Sequence, residues 1–582
     1  MAVKKAKAGW LIFMALILAT VAACSGNGDN GNKASSETNA APSGSASRSA
    51  SPSESAAEGT VPDGPTGKYD PPIEVTTVRS INAGVKFQEG DSLDSNPWTR
   101  DFEKELGIKV TNKWKVSDQQ YQNKMAVTMA SGDLPDFMLV DAQQFQVLVQ
   151  AEAIADLTDI YPKYASELTK KSIEEGGGIR LKAATVNGRM MGIPANGGGR
   201  DDAHLLYIRT DWLKNVGLEP PKTMDDVIEI ALAFTKNDPD KNGKNDTYGL
   251  SLDLNLFNGW SGLDGFFNGY HAYPYNPTKG TGTNLNFLKG PDGKAIWADT
   301  QPEVKTALGK LQELFKAGAI YPEFSVIDGV KSGELATSGK VGMSYGAFWV
   351  PTWPINNMKK DVPGSDWGVY PIPSVDDKPA LAASMGGLPS QFYVVGKKSK
   401  HPEAPFILLN RVADKLYGNF DINFHTVTEG DVQYGIHMYA PIGAAFAEKN
   451  QEIAYAVQDA LQSKDTSKLN AEQLDAYSQL EKYAAGDLSL WSAERLWNFG
   501  GVFDVLGQYK KNDRIFQSVY TGNPTPTMVA KGPSLRDEQV KTFTAIIMGA
   551  QPLDYFDEWA KKWLESGGQE ILDEVNASGQ IQ

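Results

Sequence analysis

Cys24 is the only cysteine in the 582 residues, so no disulfide can form within the chain, and whatever folds must be held by the size and packing of its core. The position of Cys24 constrains the chain further. It ends a leader in which Lys4, Lys5 and Lys7 precede an apolar run from Ala8 to Ala23. This is the layout of a secretory signal, and the run falls short of the roughly 20 apolar residues that a bilayer-spanning helix needs. From Ser25 to about Lys68 the chain is almost wholly Ser, Gly, Ala, Asn, Pro and acidic residues, with no aromatic side chain and Val61 as the one aliphatic residue beyond alanine. Such a segment cannot bury enough apolar surface to offset its ordering entropy, and it reads as a flexible tether. As a random coil of about 40 residues it spans roughly 35 Å.

Ala22 and Ala23 before Cys24 resemble the bacterial lipobox, which implies that the cysteine is acylated and becomes the first residue of the mature protein. A cleaved signal without a lipid and an uncleaved anchor helix are the alternatives. The expectation is a signal peptide over 1–23, a lipid-anchored disordered linker over 24–69, and a folded part at the extracytoplasmic face of the membrane. Stable anchoring needs more than one acyl chain, because a single chain holds only marginally.

The remaining stretch of about 510 residues is too long for one core and points to two lobes. The formal net charge is −15, more negative still without the leader's lysines, and argues against a nucleic-acid partner. Ile73, Val75 and Val78 predict a strand, and Asn96-Pro97-Trp98 predicts a helix start with Gly107 as its stop. Ile108 to Val116 predicts a second strand, Tyr121, Met125 and Met129 a helix, and Phe137 to Val140 a short buried strand. This β-α-β-α order predicts an α/β domain with a mainly parallel sheet. A second such stretch begins near Leu205. Its predicted helices start at capping boxes formed by Thr223 with Asp226 and by Thr300 with Glu303. Val341 to Ser344 predicts a strand, and beyond about 400 the chain reads as chiefly helical.

Several segments, in order, resemble the extracellular solute-binding proteins that feed ABC importers, in the carbohydrate-binding branch that includes maltose-binding protein. They are Leu134-Pro135-Asp136-Phe137, Gly192-Ile193-Pro194, Leu206-Tyr207-Ile208-Arg209-Thr210-Asp211-Trp212-Leu213, Pro220-Pro221-Lys222-Thr223, Ser338-Gly339-Lys340-Val341-Gly342-Met343 and His401-Pro402-Glu403-Ala404. The resemblance covers roughly 73 to 410. It implies a periplasmic-binding-protein-like fold, two discontinuous α/β lobes with a hinge and a ligand cleft between them. It also implies chain crossings near 195–206 and 384–391. The expected division is 70–200 plus 385–415 for the first lobe and 201–384 plus 416–582 for the second. The implied function is capture of an oligosaccharide by a monomer that delivers it to ABC permease subunits.

Asp238, Asp240, Asn242, Lys244 (through its carbonyl) and Asp246 fall at positions 1, 3, 5, 7 and 9 of a calcium-type loop, with Gly243 at position 6. Position 12 is Gly249 where glutamate is usual. The loop is similar to the structural calcium loop of alginate-binding proteins, whose acidic residue after the last aspartate is here Thr247. A sixth ligand would have to come from water, Thr247 or a distant carboxylate. The two readings left open are a structural calcium site and an ordinary polar turn.

Thirteen tryptophans and twenty-two tyrosines suit sugar binding, since sugar C–H faces stack on aromatic rings. By resemblance Trp349 corresponds to the tryptophan that stacks on sugar in maltose-binding protein, with core packing as its alternative. Trp353, Trp260, Tyr270, Tyr273 and Tyr275 are further aromatic candidates. Asp141, Gln143 and Gln144 follow a strand at its carboxyl end, where α/β sheets usually bind ligands. Arg200, Asp201 and Asp202 fall at the expected crossing, and Arg79, Arg200 or Arg209 would suit an acidic glycan.

An enzyme is the other class. Gly342-Met343-Ser344-Tyr345-Gly346 matches a nucleophile elbow, but Pro351 and Pro354 oppose the helix such an elbow needs. A secreted glycosidase or polysaccharide lyase, whose carboxylates leave no signature, and a ligand-sensing lipoprotein remain as alternatives.

Overall fold

The computed structural model describes residues 61–81, 85–175, 178–196, 201–274, 285–362, 364–384, 389–429, 432–522 and 524–581. The leader, Cys24 and nearly all of the tether lie outside the described residues, as do Arg200 and Tyr275.

Local signals set the first elements. The side chain of Asn96 accepts from the backbone N–H groups of Trp98 and Thr99 and so caps helix Pro97–Asp101. Gly107, at φ 65°, ends the turns that follow. A Cβ there would stand 2.4 Å from the Tyr69 carbonyl oxygen, so both the backbone angle and the space require glycine. Strand Ile73–Ile81 pairs in parallel with Ile108–Ser117, and helix Asp118–Ser131 leads to strand Phe137–Asp141.

The sheets are mixed where a mainly parallel arrangement was expected. Strand Gln391–Val395 lies between Phe137–Asp141 and Ile193–Pro194 and runs antiparallel to both. Leu205–Arg209 likewise runs antiparallel to its neighbours Val341–Gly346 and Trp367–Tyr370, while Tyr248–Leu250 joins the edge in parallel with Val341–Gly346. In each lobe the reversed strand is the one through which the chain arrives from the other lobe. It starts at the edge where the local strands end.

The two crossings run side by side. Ala203 bridges Ser384 in antiparallel fashion. Asn196 Oδ1 accepts from the N–H groups of Ser390 and Gln391 at 2.9 and 3.1 Å, and its Nδ2 donates to Ser390 Oγ at 2.9 Å.

The apolar residues on either side form separate cores. The first gathers Trp98, Phe102, Phe137, Ile193, Phe406 and Leu409, and a smaller neighbouring cluster holds Met125, Phe145 and Phe392. The second gathers Trp212, Phe234, Leu308, Met343, Phe543 and Trp559. Leu416, Ile436, Tyr439 and Ile442 join the first core, although the expected division assigned everything after 415 to the second lobe. Trp98 draws them in. Its Nε1 donates to the Ile436 carbonyl at 3.0 Å, and its ring meets Phe424 edge-on at 4.7 Å. The chain crosses a third time between Ala444, which packs on the first core, and Ala454, which belongs to the second.

Helix Met224–Lys236 starts at the expected box, with Asp226 N–H on Thr223 Oγ1 and Thr223 N–H on Asp226 Oδ2. Helix Pro302–Lys316 differs. Gln301 takes the cap position and the Thr300–Glu303 box does not form, because Pro302 already presets the first turn and carries no N–H to satisfy. Near the carboxyl end, Trp563 donates to the Leu535 carbonyl at 3.0 Å and meets Trp297 edge-on at 4.6 Å. Among the described residues no helix is long and apolar enough to cross a membrane.

Candidate functional site

Strand Phe137–Asp141 hands the chain to helix Ala142–Gln150 at Asp141. The Asp141 carboxylate accepts from the Gln144 N–H at 2.8 Å, while Gln144 Oε1 accepts from the Asp141 N–H at 3.1 Å. At this carboxyl edge of the sheet opens a cavity of about 470 Å³ whose lining includes Arg79, Tyr121, Gln122, Asp141, Gln391 and Tyr393. Gln391 stands opposite Asp141 in the ladder, and Asn196 holds its backbone N–H across the crossing, so the cavity adjoins the crossing segments.

The polar side chains of a mixed lining are anchored. Tyr121 donates from its hydroxyl to the Leu139 carbonyl at 2.8 Å, and the Tyr393 hydroxyl accepts from the Gly443 N–H at 3.0 Å. Burial raises the pKa of both phenols above the ordinary range, so both are neutral at neutral pH. Arg79 donates to the carbonyls of Tyr439 and Met438 at 3.0 and 3.2 Å, and burial lowers its pKa below the usual arginine value. Burial also raises the Asp141 pKa, against the lowering effect of the Gln144 and Gln143 N–H groups.

Of the three residues expected after this strand, only Asp141 lines the cavity. Gln144 is committed to the cap and to Gln122, whose Oε1 lies 2.6 Å from its Nε2. Gln143 reaches the other lobe and donates to the Val529 carbonyl at 3.4 Å.

In the second lobe, Trp349 lies just beyond strand Val341–Gly346, whose last residue pairs with Leu205 next to the crossing. Its indole rests on Gly259, where a Cβ would stand 2.4 Å from Cζ2. Trp353 follows with its ring 6.0 Å away at 37°, and it is 39% exposed. Trp349 itself is half-buried.

Three aromatic candidates are core residues instead. Trp260 is fully buried with its Nε1 donating to Ser332 Oγ at 3.0 Å, Tyr270 is buried, and Tyr273 is buried in a stack on Phe516 at 4.1 Å. None has a ring face free for a sugar. Asp201 accepts from Lys510 Nζ at 3.0 Å, and Lys510 also donates to Glu448 at 2.6 Å, which braces the crossing against helix Val502–Lys511. Asp202 is pushed up to about 6 by burial and by the neighbouring Asp201 charge. Ser344 is fully buried inside its strand with its hydroxyl on the Tyr345 carbonyl, so the Gly342–Gly346 motif is no nucleophile elbow.

The acidic loop folds on itself. Asp238 accepts from the N–H groups of Asn242 and Gly243 at 3.0 and 2.9 Å, and Asn242 Nδ2 bridges Asp240 and Asp246 at 2.7 and 3.1 Å. Gly243 has φ 79°, which a glycine adopts freely. Lys340 Nζ pairs with Asp246. The Asp240 carboxyl is raised, first by burial and then by the hydrogen bond and charge of its acidic neighbours. Thr247 Oγ1 donates to the Phe234 carbonyl at 2.7 Å and is turned into the core, which removes it as a side-chain ligand. Among the described residues no three His, Cys, Asp or Glu side chains are gathered closely enough to hold a metal ion.

Gln391 and Tyr393 were not singled out from sequence. The alternation of their strand marks one face, but only its reversed direction brings the start of the strand to the cavity.

A model of the bacterial extracellular solute-binding protein family matches residues 98–409. The chain is 32% identical over 257 residues to lipoprotein LipO of Bacillus subtilis, which covers 43% of this chain and about half of LipO, 46%. It is 24% identical over 490 residues to the polygalacturonan/rhamnogalacturonan-binding protein YtcQ of the same organism, covering 82% of this chain and 86% of YtcQ. Among solved structures, the Streptococcus pneumoniae ABC-transporter substrate-binding protein FusA, as an EF-hand mutant in complex with fructo-nystose, superposes with a TM-score of 0.60 at 16% identity, covering 87% of this chain and 98% of that one.

Proposed function

The chain belongs to the bacterial extracellular solute-binding proteins, and from that premise we propose that it captures an oligosaccharide outside the cell and delivers it to the permease of an ABC importer. The observation that carries this reading is the cavity at the carboxyl edge of the first lobe's sheet, beside two crossings that link separate cores. Its tyrosines and amide and carboxylate side chains are the partners that sugar faces and hydroxyls need. The half-exposed Trp349 and Trp353 at the hinge-side edge of the second lobe supply a stacking surface that a closing motion brings to the ligand. The names of YtcQ and FusA, both sugar binders, support the ligand class.

In this reading ligand contacts both lobes only in the closed form and so shifts the open–closed equilibrium. The protein works as a monomer, tethered by a lipid on Cys24, and performs no catalysis. The acidic loop holds calcium in a structural role, through Asp238, Asp240, Asn242, the Lys244 carbonyl and Asp246, with water completing the shell. The donor types suit a hard cation, three carboxylates and an amide oxygen in a glycine-turned loop, and the ion would draw together carboxylates that now stand apart on Asn242 and Lys340. The FusA structure, an EF-hand mutant, supports this assignment.

Calorimetry of the full chain against neutral and acidic oligosaccharides, with product analysis of the same mixtures, tests the reading. Stoichiometric binding without products is expected. Turnover of the sugar would overturn it.

A further inference from the structure

Resting on the reading of this cavity as an oligosaccharide site, we infer that Arg79 receives a carboxylate of the ligand, so that the substrate is an oligosaccharide containing uronic-acid units. Of the arginines suited to such a ligand, Arg209 is spent on Asp211, with Nε and Nη2 at 2.7 and 2.6 Å from its two oxygens. Arg79 lines the cavity. Its guanidinium carries five N–H groups in a fixed fork, and the carbonyls of Met438 and Tyr439 take two.

The contrast with other arginines of the fold is informative. Arg411 is paired with Asp101 and Arg495 with Asp366. Arg180 also binds carbonyls, those of Ser172, Ala445 and Pro194, but it is closed off from solvent. Arg79 forms no ion pair with a carboxylate among the described residues, and the aromatic groups facing it, Tyr121 and Tyr393, are uncharged at neutral pH. A cation held in a partly desolvated cavity without a counter-ion is costly, and a ligand carboxylate would offset that cost.

Two carboxylates share the lining. Asp118 is exposed at the surface, where solvent screens it. Asp141 is oriented by the helix cap through the Gln144 N–H. A uronate satisfies this mixed lining better than a neutral sugar does, with its carboxylate on the Arg79 fork and its hydroxyls on Asp141, Gln122 and Gln391.

The test is calorimetry of the full chain with trisaccharides of galacturonate, mannuronate and glucuronate, each beside its methyl ester, and with kestose as a neutral control. At least one acid should bind, with its ester about 10- to 100-fold weaker, the loss expected for a charge-assisted hydrogen bond. Arg79→Gln should weaken the acid by a similar factor and the ester by much less, so that the acid-to-ester ratio falls, and Arg79→Lys should fall between. Equal affinity of wild type and Arg79→Gln for the acid, or a preference for ester or kestose, overturns the inference while leaving the oligosaccharide reading in place. No binding of any sugar overturns both. Should Arg79→Gln not fold, judged by its melting curve, the acid-to-ester ratio of the wild type and of Arg79→Lys decides the matter.

Discussion

His204 and Asp264 face each other inside the second core, with 3.8 Å between the imidazole Nε2 and the carboxyl Oδ2 and both side chains essentially without exposure. Burial pulls His204 down to about 3 and pushes Asp264 up to about 8, so the pair is neutral in the folded protein. The two effects oppose each other between the ordinary carboxylate pKa and about pH 6.5, where the unfolded chain has a protonated histidine and an ionised aspartate. From about pH 6.5 to 8 only Asp264 differs between the states: ionised when unfolded, protonated when folded. Stability therefore falls as pH rises through that window, by about 1.4 kcal/mol per pH unit from this group. Asp264→Asn, which mimics the neutral acid, should flatten the fall. Denaturant midpoints at pH 6.5 and 8 measure it, and an equal decline in both proteins would contradict the neutral pair.

Calcium should raise the melting temperature, and chelation should reverse the rise. Saturation at about 100-fold above the dissociation constant adds about 2.7 kcal/mol. Asp240→Asn should abolish the effect. Lys340→Met should lower the metal-free melting temperature slightly yet tighten calcium binding, because Lys340 occupies the Asp246 carboxylate that the ion needs. Unchanged calcium affinity in Lys340→Met would show that Asp246 is not a ligand.

Trp260 and Trp349 should part company on mutation. Trp260→Ala removes a fully buried ring and a hydrogen bond to Ser332 and should cost about 3–5 kcal/mol of stability. Trp353→Ala, at an exposed position, should cost under about 1 kcal/mol and weaken ligand binding. Gly259→Ala should do the same from beneath, since its methyl group would displace the Trp349 indole. A shift in tryptophan emission together with weaker binding would register that displacement, and ligand affinity equal to wild type in both variants would remove the pair from the site.

What could be read from the sequence was what neighbours along the chain decide. Asn96 before Pro97, Gly107 after Leu106 and Thr223 with Asp226 act within a few residues, and each forms the cap or stop expected of it. Distant contacts decided the rest. Ile436 joins the first core because the Trp98 indole, 338 positions away, needs its carbonyl. Trp260 and Trp349 are equivalent as letters, and what separates them is that Ser332 stands behind one and Gly259 beneath the other. The cavity's Gln391 and Tyr393 belong to a strand whose direction is set by a crossing from the other lobe, which no local periodicity encodes.

Asn196 is where that crossing is most exposed to test. One side chain holds the N–H groups of Ser390 and Gln391 and the Ser390 hydroxyl, joining the outgoing and returning segments just where Gln391 enters the cavity lining. Asn196→Ala leaves two backbone donors without their acceptor and should cost about 1–3 kcal/mol. Asn196→Asp keeps an acceptor for both and loses only the donor to Ser390, so it should cost less. If the crossings form the hinge, loosening them should do more than destabilise. The ligand-free chain should sample a wider spread of lobe separations, which raises its radius of gyration in solution scattering, while saturating ligand restores the wild-type value by selecting the closed form. Affinity should fall in step, because ligand must then draw on a less populated competent state. A radius of gyration and affinity both equal to wild type, despite the lower melting temperature, would make Asn196 a structural clamp only and would move the hinge to the third crossing between Ala444 and Ala454.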